Sequence, residues 1–299
     1  MYDQVAQNRR RSVLLVAGFF LLTVCIASAI SYGFGFGLPG IVIAVVVATT
    51  LAMVGYWKSD RVALAVSRAK PADEATYARY HNLVEGLCIA SGLPKPRLYV
   101  VDDPAPNAFA TGRDPNHAAV AVTTGLLETM NRVELEGVLA HELSHIKNYD
   151  ILVSTLAVVM LGVVALLADL ALRSSFVLGP RRRRGNDDLG LILMVVGLLL
   201  AIVGPVIAKL MQLAITRRRE SLADLSAVEM TRYPPGLISA LQKLEAAPSV
   251  VRSGSRATAH MWIEDPMPQT QEEGKMSRLN RLFNTHPPIA ERIAALREL

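Results

Sequence analysis

His141, Glu142 and His145 stand in the order His-Glu-x-x-His within LAHELSHIKNYD, residues 139–150. On a helix, residues i and i+4 project to one side, one turn apart. Two imidazoles so placed can hold one zinc ion, and the carboxylate beside them can reach a water at the ion's open position. Zinc lowers the pKa of that water, Glu142 takes its proton, and the resulting nucleophile can attack a peptide carbonyl. A catalytic zinc site takes three protein ligands. Glu220, in RRRESLADLSAVE, is the candidate third. Asp224 shares its helical face and can accept a hydrogen bond from a ligand histidine. The alternative is that Glu220 and Asp224 are solvated helix charges beside Arg219.

The elements that must position these residues follow from local pattern. Asn131 stands as a helix cap with Glu134 three residues on, as in a capping box. Val133, Gly137, Leu139 and Ala140 give that helix an apolar side. Upstream, ADEATYARYHNLVEGLCIASGLPKP predicts an amphipathic helix ending at Gly92-Leu93-Pro94. RLYVV (97–101) and AAVAVT (118–123) predict strands, with a short strand near Asn107 to Thr111 between them. Downstream, YPPGLISALQKLEAA and HPPIAERIAALREL predict helices opened by proline. The stretch 248–280 is polar and reads as a loop.

The chain has 299 residues and is 52% hydrophobic. Its apolar residues cluster in four blocks: about Ser12 to Tyr32, Pro39 to Trp57, Ile151 to Leu172, and Leu189 to Ile215. A bilayer crossing needs about 20 apolar residues, so the blocks pair into two hairpins. Arg9 to Arg11, Lys58 and Arg61 flank the first, and Arg217 to Arg219 follow the second. These flanks place the open ends in the cytosol. Arg181 to Arg184 at the second tip oppose that rule, so full spanning and partial insertion both stay open. Asp169 and Lys209 inside this hairpin lie at different depths and read as an interface charge and a snorkelling lysine. The net charge of +5 is carried beside apolar blocks, which argues for a membrane and against nucleic acid. Cys25 and Cys88 form no CxxC pair, so neither a disulfide framework nor a cysteine metal site is expected.

Across nearly its whole length the chain resembles the HtpX-type membrane zinc metalloproteases, gluzincins related to the CaaX prenyl endopeptidases. The resemblance lies in the paired N-terminal spans, in NLVEGLCIASGLPKPRLYVVDDPAPNAFATGRDPNHAAVAVTTGLL, in LAHELSHIKNYD, in RRRESLADLSAVE and in THPPIAERIAAL. It implies one zinc ion per chain bound by His141, His145 and Glu220, with Glu142 as general base and Asp224 behind the ligands. It further implies that Asn107, Ala108, Phe109 and Ala110 form an edge strand pairing with extended substrate. The implied activity is quality control: hydrolysis of misfolded or damaged membrane and cytosolic-face proteins. The implied setting is a bacterial inner membrane, multi-pass, with the active site facing the cytoplasm.

The expected fold is therefore a mostly α membrane protein. Two hydrophobic helical hairpins join a zincin-like α+β catalytic domain with a small sheet. The expected division is 1–58 for the N-terminal hairpin and 59–150 for the first catalytic part with the zinc helix. Residues 151–216 form the second hairpin, and 217–299 the second catalytic part. Two other readings stand beside this one: a CaaX-type processing protease, and a zinc-binding membrane scaffold without hydrolysis. A transporter is disfavoured, because the blocks lack a polar set at mid-depth and inverted repeats. His81, His117 and His260 read as structural or surface residues. Thr285 or His286 reads as a cap of the last helix, or His286 as an oxyanion donor.

Overall fold

The computed structural model describes residues 37–156, 217–247, 251, 261–263 and 287–299, a few isolated positions before 37, and Asp169 and Arg173. In chain order the elements are α1 (Gly37–Val66), β1 (Lys70–Pro71), α2 (Ala78–Ser91), β2 (Arg97–Val101), β3 (Ala108–Gly112), β4 (Ala118–Thr123), α3 (Thr124–Thr129), α4 (Arg132–Lys147), α5 (Arg217–Thr231), α6 (Pro234–Ala246) and α7 (Ile289–Arg297).

The sheet has the order β1-β2-β4-β3. β2 and β4 run parallel, with Arg97 opposite Ala119 and Val101 opposite Thr123. β3 returns antiparallel to β4 and forms one edge. The period-two alternation of strands sorts side chains to two faces. Leu98, Val100, Ala118, Val120 and Val122 face the main core with α2, α4 and α6. Val101, Phe109, Ala119 and Ala121 face a second core with Ala63 and Leu64 of α1. Both faces are covered, so β4 is buried at every residue.

α4 runs through the middle of the main core. Its expected capping box is present. The Glu134 N–H donates to Asn131 Oδ1 at 3.0 Å, and the Asn131 N–H donates to Glu134 Oε2 at 2.8 Å. Lys243 and Ser239 of α6 each bond the same carboxylate at 2.7 Å, which ties the start of α4 to its neighbour. The expected one-sided burial of α4 is not what the packing gives. Leu135 and Gly137 to Ser144 are all buried, so the helix is enclosed on every side, while Val133 is 42% exposed. α6 crosses α4 so closely that a Cβ on Gly137 would lie 2.9 Å from the Leu237 Cα.

α2 ends as expected at Gly92, left-handed with φ +70°. α7 begins at Ile289 with Pro288 in the N-cap position, so neither Thr285 nor His286 occupies it. His260, Thr285 and His286 lie outside the described residues. His81 Nε2 sits 3.0 Å from the Ala72 carbonyl, and exposed His117 is held by Asp114 at 2.8 Å.

α1 runs on past the expected end of the second apolar block, through Lys58 and Arg61, to Val66. Among the described residues no helix is long and apolar enough to cross a membrane. Most of the first expected hairpin's first half lies outside the described residues. So does nearly all of the second, Lys209 and Arg181 to Arg184 included. Asp169 is bridged to Arg173 at 2.7 Å. Residues 151–156, expected to open the second hairpin, are helical. Ile151, Val153, Thr155 and Leu156 are buried, and Thr155 Oγ1 lies 3.0 Å from Thr111 Oγ1 of β3.

Gly137→Ala forces α4 and α6 apart and should destabilise the fold by about 1–3 kcal/mol, as overpacking does. Gly86→Ala, on α2 with open space around it, should leave the thermal midpoint equal or higher, since alanine favours helix. Thermal unfolding of the two purified variants against wild type checks the contrast.

Candidate metal centre

Four segments meet at the C-terminal half of α4. α4 supplies His141 and His145. The first turn of α5 supplies Glu220, and its next turn Asp224. A carboxylate in the first turn of a helix is favoured by the helix dipole. The turn after α4 supplies Asp150, and α7 supplies Arg292. The turn is sharp because Tyr149 adopts a left-handed conformation, φ 59°, which ends α4 and folds Asp150 back toward His145.

The three expected ligands converge. His141 Nε2 and His145 Nε2 lie 3.1 Å apart. Glu220 Oε2 is 3.6 Å from the first and Oε1 3.7 Å from the second. One ligand atom of each residue lies within 4.8 Å of the others. His141 and Glu220 are buried, and His145 is 16% exposed, so the site opens on the His145 side. Glu142 is buried and lines one small cavity with His145 and Glu220.

Each imidazole is held from behind at its other nitrogen. Asp224 Oδ1 lies 2.9 Å from His141 Nδ1. Asp150 Oδ2 lies 3.3 Å from His145 Nδ1. A carboxylate at Nδ1 fixes the tautomer that carries its proton there and leaves Nε2 as the donor atom toward the centre. Asp224 is itself gripped at both oxygens by Arg292, Nη2 to Oδ1 at 2.6 Å and Nε to Oδ2 at 2.9 Å. The second Arg292 terminal nitrogen, Nη1, is 3.9 Å from Glu220 Oε2. Asp150 in turn meets Arg219 Nε at 3.2 Å.

The electrostatics follow from burial and pairing. Burial works to raise the Asp224 pKa, but Arg292 and His141 outweigh it and hold the carboxyl down at about 2. Burial and Arg292 work to lower the His141 pKa, yet Asp224 and Glu220 carry it up to about 9. His145 moves the same way: burial opposes, and Asp150 and Glu220 prevail. The centre is a concentration of negative charge that draws positive charge into a buried place.

Asp150 and Arg292 did not stand out in the sequence. Asp150 ends the very segment that carries the histidines, and its signal is the Asn148-Tyr149 pair that breaks the helix before it. Arg292 reads as an ordinary charge in an amphipathic C-terminal helix, and no local signal marks it. Of the four expected substrate contacts, Ala110 lines the cavity. Phe109 turns its ring to the other face of the sheet, into the second core. Asn107 bonds inward, its N–H to Thr123 Oγ1 at 2.9 Å and its side-chain oxygen to the Ala108 N–H at 3.0 Å.

Known proteins match the chain along its whole length. The sequence profile of Peptidase family M48 matches residues 74–299. A protein named Protease HtpX homolog, from Caldanaerobacter subterraneus subsp. tengcongensis, is 42% identical over 301 residues, covering 100% of this chain and 98% of its own. One of the same name from Streptococcus uberis is 40% identical over 306 residues, with 100% of both chains covered. Among solved structures, S. mikatae Ste24p is 18% identical with a TM-score of 0.49, covering 99% of this chain and 67% of that one. The chain is a metalloprotease, and it belongs to peptidase family M48.

Proposed function

We propose that this chain is a membrane-anchored zinc endopeptidase that cuts misfolded or damaged membrane and cytosolic-face proteins. The observation that carries this reading is the convergence of His141, His145 and Glu220, with Asp224 and Asp150 behind the two imidazoles.

The residues fit zinc. Ligand atoms about 2.0–2.2 Å from a tetrahedral ion stand roughly 3.3–3.6 Å from one another. The separations of 3.1, 3.6 and 3.7 Å are close to that figure. Two imidazoles and one carboxylate are a catalytic zinc set with a position left for substrate or water. A zinc ion there supplies Lewis acidity toward a carbonyl and a water.

The remaining work falls to the chain's own groups. Glu142 lines the cavity beside the ligands, where its carboxylate takes the proton of the attacking water and returns it to the leaving amine. Asp224 and Asp150 hold the imidazoles in the tautomer that presents Nε2. Arg292 keeps Asp224 ionised and fixed. The β3 strand offers its edge to an extended polypeptide, with Ala110 next to the cleft. Membrane attachment is supported by α1, whose Leu38, Val42, Ile43, Val46 and Met53 are each more than half exposed. A run of aliphatic side chains in water is unfavourable, and lipid is the medium that suits it.

Glu142→Gln should keep zinc and lose activity. Cleavage of casein by the detergent-purified chain, made dependent on added zinc, should fall by at least about 10²-fold in the variant. A variant that cuts like wild type removes Glu142 from the role of base.

Arg292→Lys cannot make the two parallel bonds to Asp224. Its zinc affinity should drop about 10–100-fold, as expected when a group that orients a ligand is lost. Chelator competition measures it.

Zinc binding should also depend on pH in a defined direction. With its pKa near 9 in the metal-free centre, His141 is protonated at pH 7 and must release that proton to bind. The apparent affinity should therefore rise as pH increases toward 9, by roughly tenfold per unit for one proton released, and flatten above it. Titration of zinc at a series of pH values tests the sign.

A further inference from the structure

β3 is an edge strand, yet all five of its residues are buried. Its outer edge is taken by the chain itself. Phe109 and Trp262 form an isolated antiparallel bridge. The Ile263 N–H donates to the Ala108 carbonyl at 2.9 Å. The two bridge rings meet edge to face with centroids 4.7 Å apart, and both are fully buried. An extended peptide adding to β3 uses the same main-chain positions.

The same segment closes the cleft. Met261, Trp262 and Ile263 line the cavity that also holds Glu142, His145 and Glu220. That cavity has a volume of about 30 Å³, room for one or two waters and none for an extended polypeptide. The contact also carries a defect. Trp262 Nε1 is buried and meets no hydrogen-bond partner among the described residues. A buried N–H left in this state costs free energy that exposure to water returns, which favours a segment able to leave.

We propose that Met261–Ile263 is a self-strap. It lies on the β3 edge in the place of a substrate main chain, shuts the cleft over Glu142, and leaves the edge when an extended polypeptide takes it. The ligand class of that edge is thus extended polypeptide, with the chain's own strand as resident competitor. This rests on the reading of the cleft as a peptidase site with β3 as its substrate edge.

The test uses the full chain in detergent with zinc, and casein as substrate. Facing residues of an antiparallel bridge are within reach of a disulfide, so Phe109→Cys with Trp262→Cys locks the strap when oxidised. Wild type carried through the same oxidation and reduction controls for Cys25 and Cys88. A second variant, Ile263→Pro, deletes the N–H that bonds Ala108. The expected result is no casein cleavage by the oxidised lock and recovery on reduction. For Ile263→Pro a rise in kcat/KM of roughly two- to tenfold is expected, the effect of one net hydrogen bond on the open population. An oxidised lock that cuts as fast as its reduced form overturns the strap. Should the lock be inactive in both forms, Ile263→Pro decides, and activity equal to or below wild type overturns the strap. Wild-type cleavage that vanishes in Glu142→Gln upholds the peptidase reading whatever the strap variants do. A chain that cuts nothing with the strap locked, native or released overturns that reading and the strap with it.

Discussion

The bidentate pair between Arg292 and Asp224 is the contact on which the centre depends. It joins α7 to α5, and through His141 it joins both to α4. All three groups are buried, so none can turn to water for compensation. Removing one partner of such a pair leaves an uncompensated charge in the interior, and that costs several kcal/mol. The wider charge balance points the same way. Glu142, Asp150, Glu220 and Asp224 are buried around the site, against buried Arg219 and Arg292. Counted as ionised, the carboxylates outnumber the guanidiniums by two. Protons on the two histidines can make up that deficit, and a divalent cation can make it up better, because it sits where the negative charge converges.

A centre of this kind needs walls that do not move. α4 provides them by being enclosed. Its start is fixed by the Asn131–Glu134 box and by Lys243, and its middle by the close crossing with α6 at Gly137. Its end is fixed by the left-handed turn at Tyr149. The helix that bears the histidines is therefore specified along its whole length, and two carboxylates approach it from elements that packing has already placed. The low sequence separation between His145 and Asp150 makes one support local. The distance in sequence from His141 to Asp224 and Arg292 makes the other a product of tertiary folding.

That difference explains what could be read in advance. The His-Glu-x-x-His pattern, the capping box and the strands carry short-range signals: helical spacing, cap chemistry, β-branched alternation. Glu220 carries no such signal toward the histidines, 75 residues away from His145, and is marked only by standing just past an apolar block as they stand just before one. Arg292 carries none, since an arginine in an amphipathic helix has the same local pattern whether it faces water or a buried carboxylate. Trp262 was hidden for the opposite reason. It lies in a stretch whose average polarity reads as loop, and averaging conceals one short apolar segment that packs. Residues 151–156, buried but for half-buried Ser154, read as part of an apolar block because hydrophobicity alone does not separate a lipid-facing helix from one covered by protein. The one-sided burial expected for α4 failed because helices pack around it from several directions, a tertiary fact that its own sequence cannot encode.

The role proposed for the β3 edge sets function against a general rule of sheets. An exposed edge offers unpaired N–H and C=O groups to any extended chain, so folded proteins cover, charge or shorten their edges. A protease that recognises unfolded polypeptide through its main chain needs such an edge open, because side-chain recognition would restrict it to particular sequences. Permanent cover abolishes the activity, and a permanently open edge invites pairing between copies and cutting of chains that should be spared. A cover made from the protein's own strand resolves the conflict, provided its hold is weak enough to be displaced. Among the described residues, one bridge, one main-chain bond between Ile263 and Ala108, and an indole N–H without a partner make a modest hold. With the proposed strap in place, the edge would be protected against brief encounters and would yield to a segment long enough to pair along all of β3, a selection for extended chain that reads no sequence.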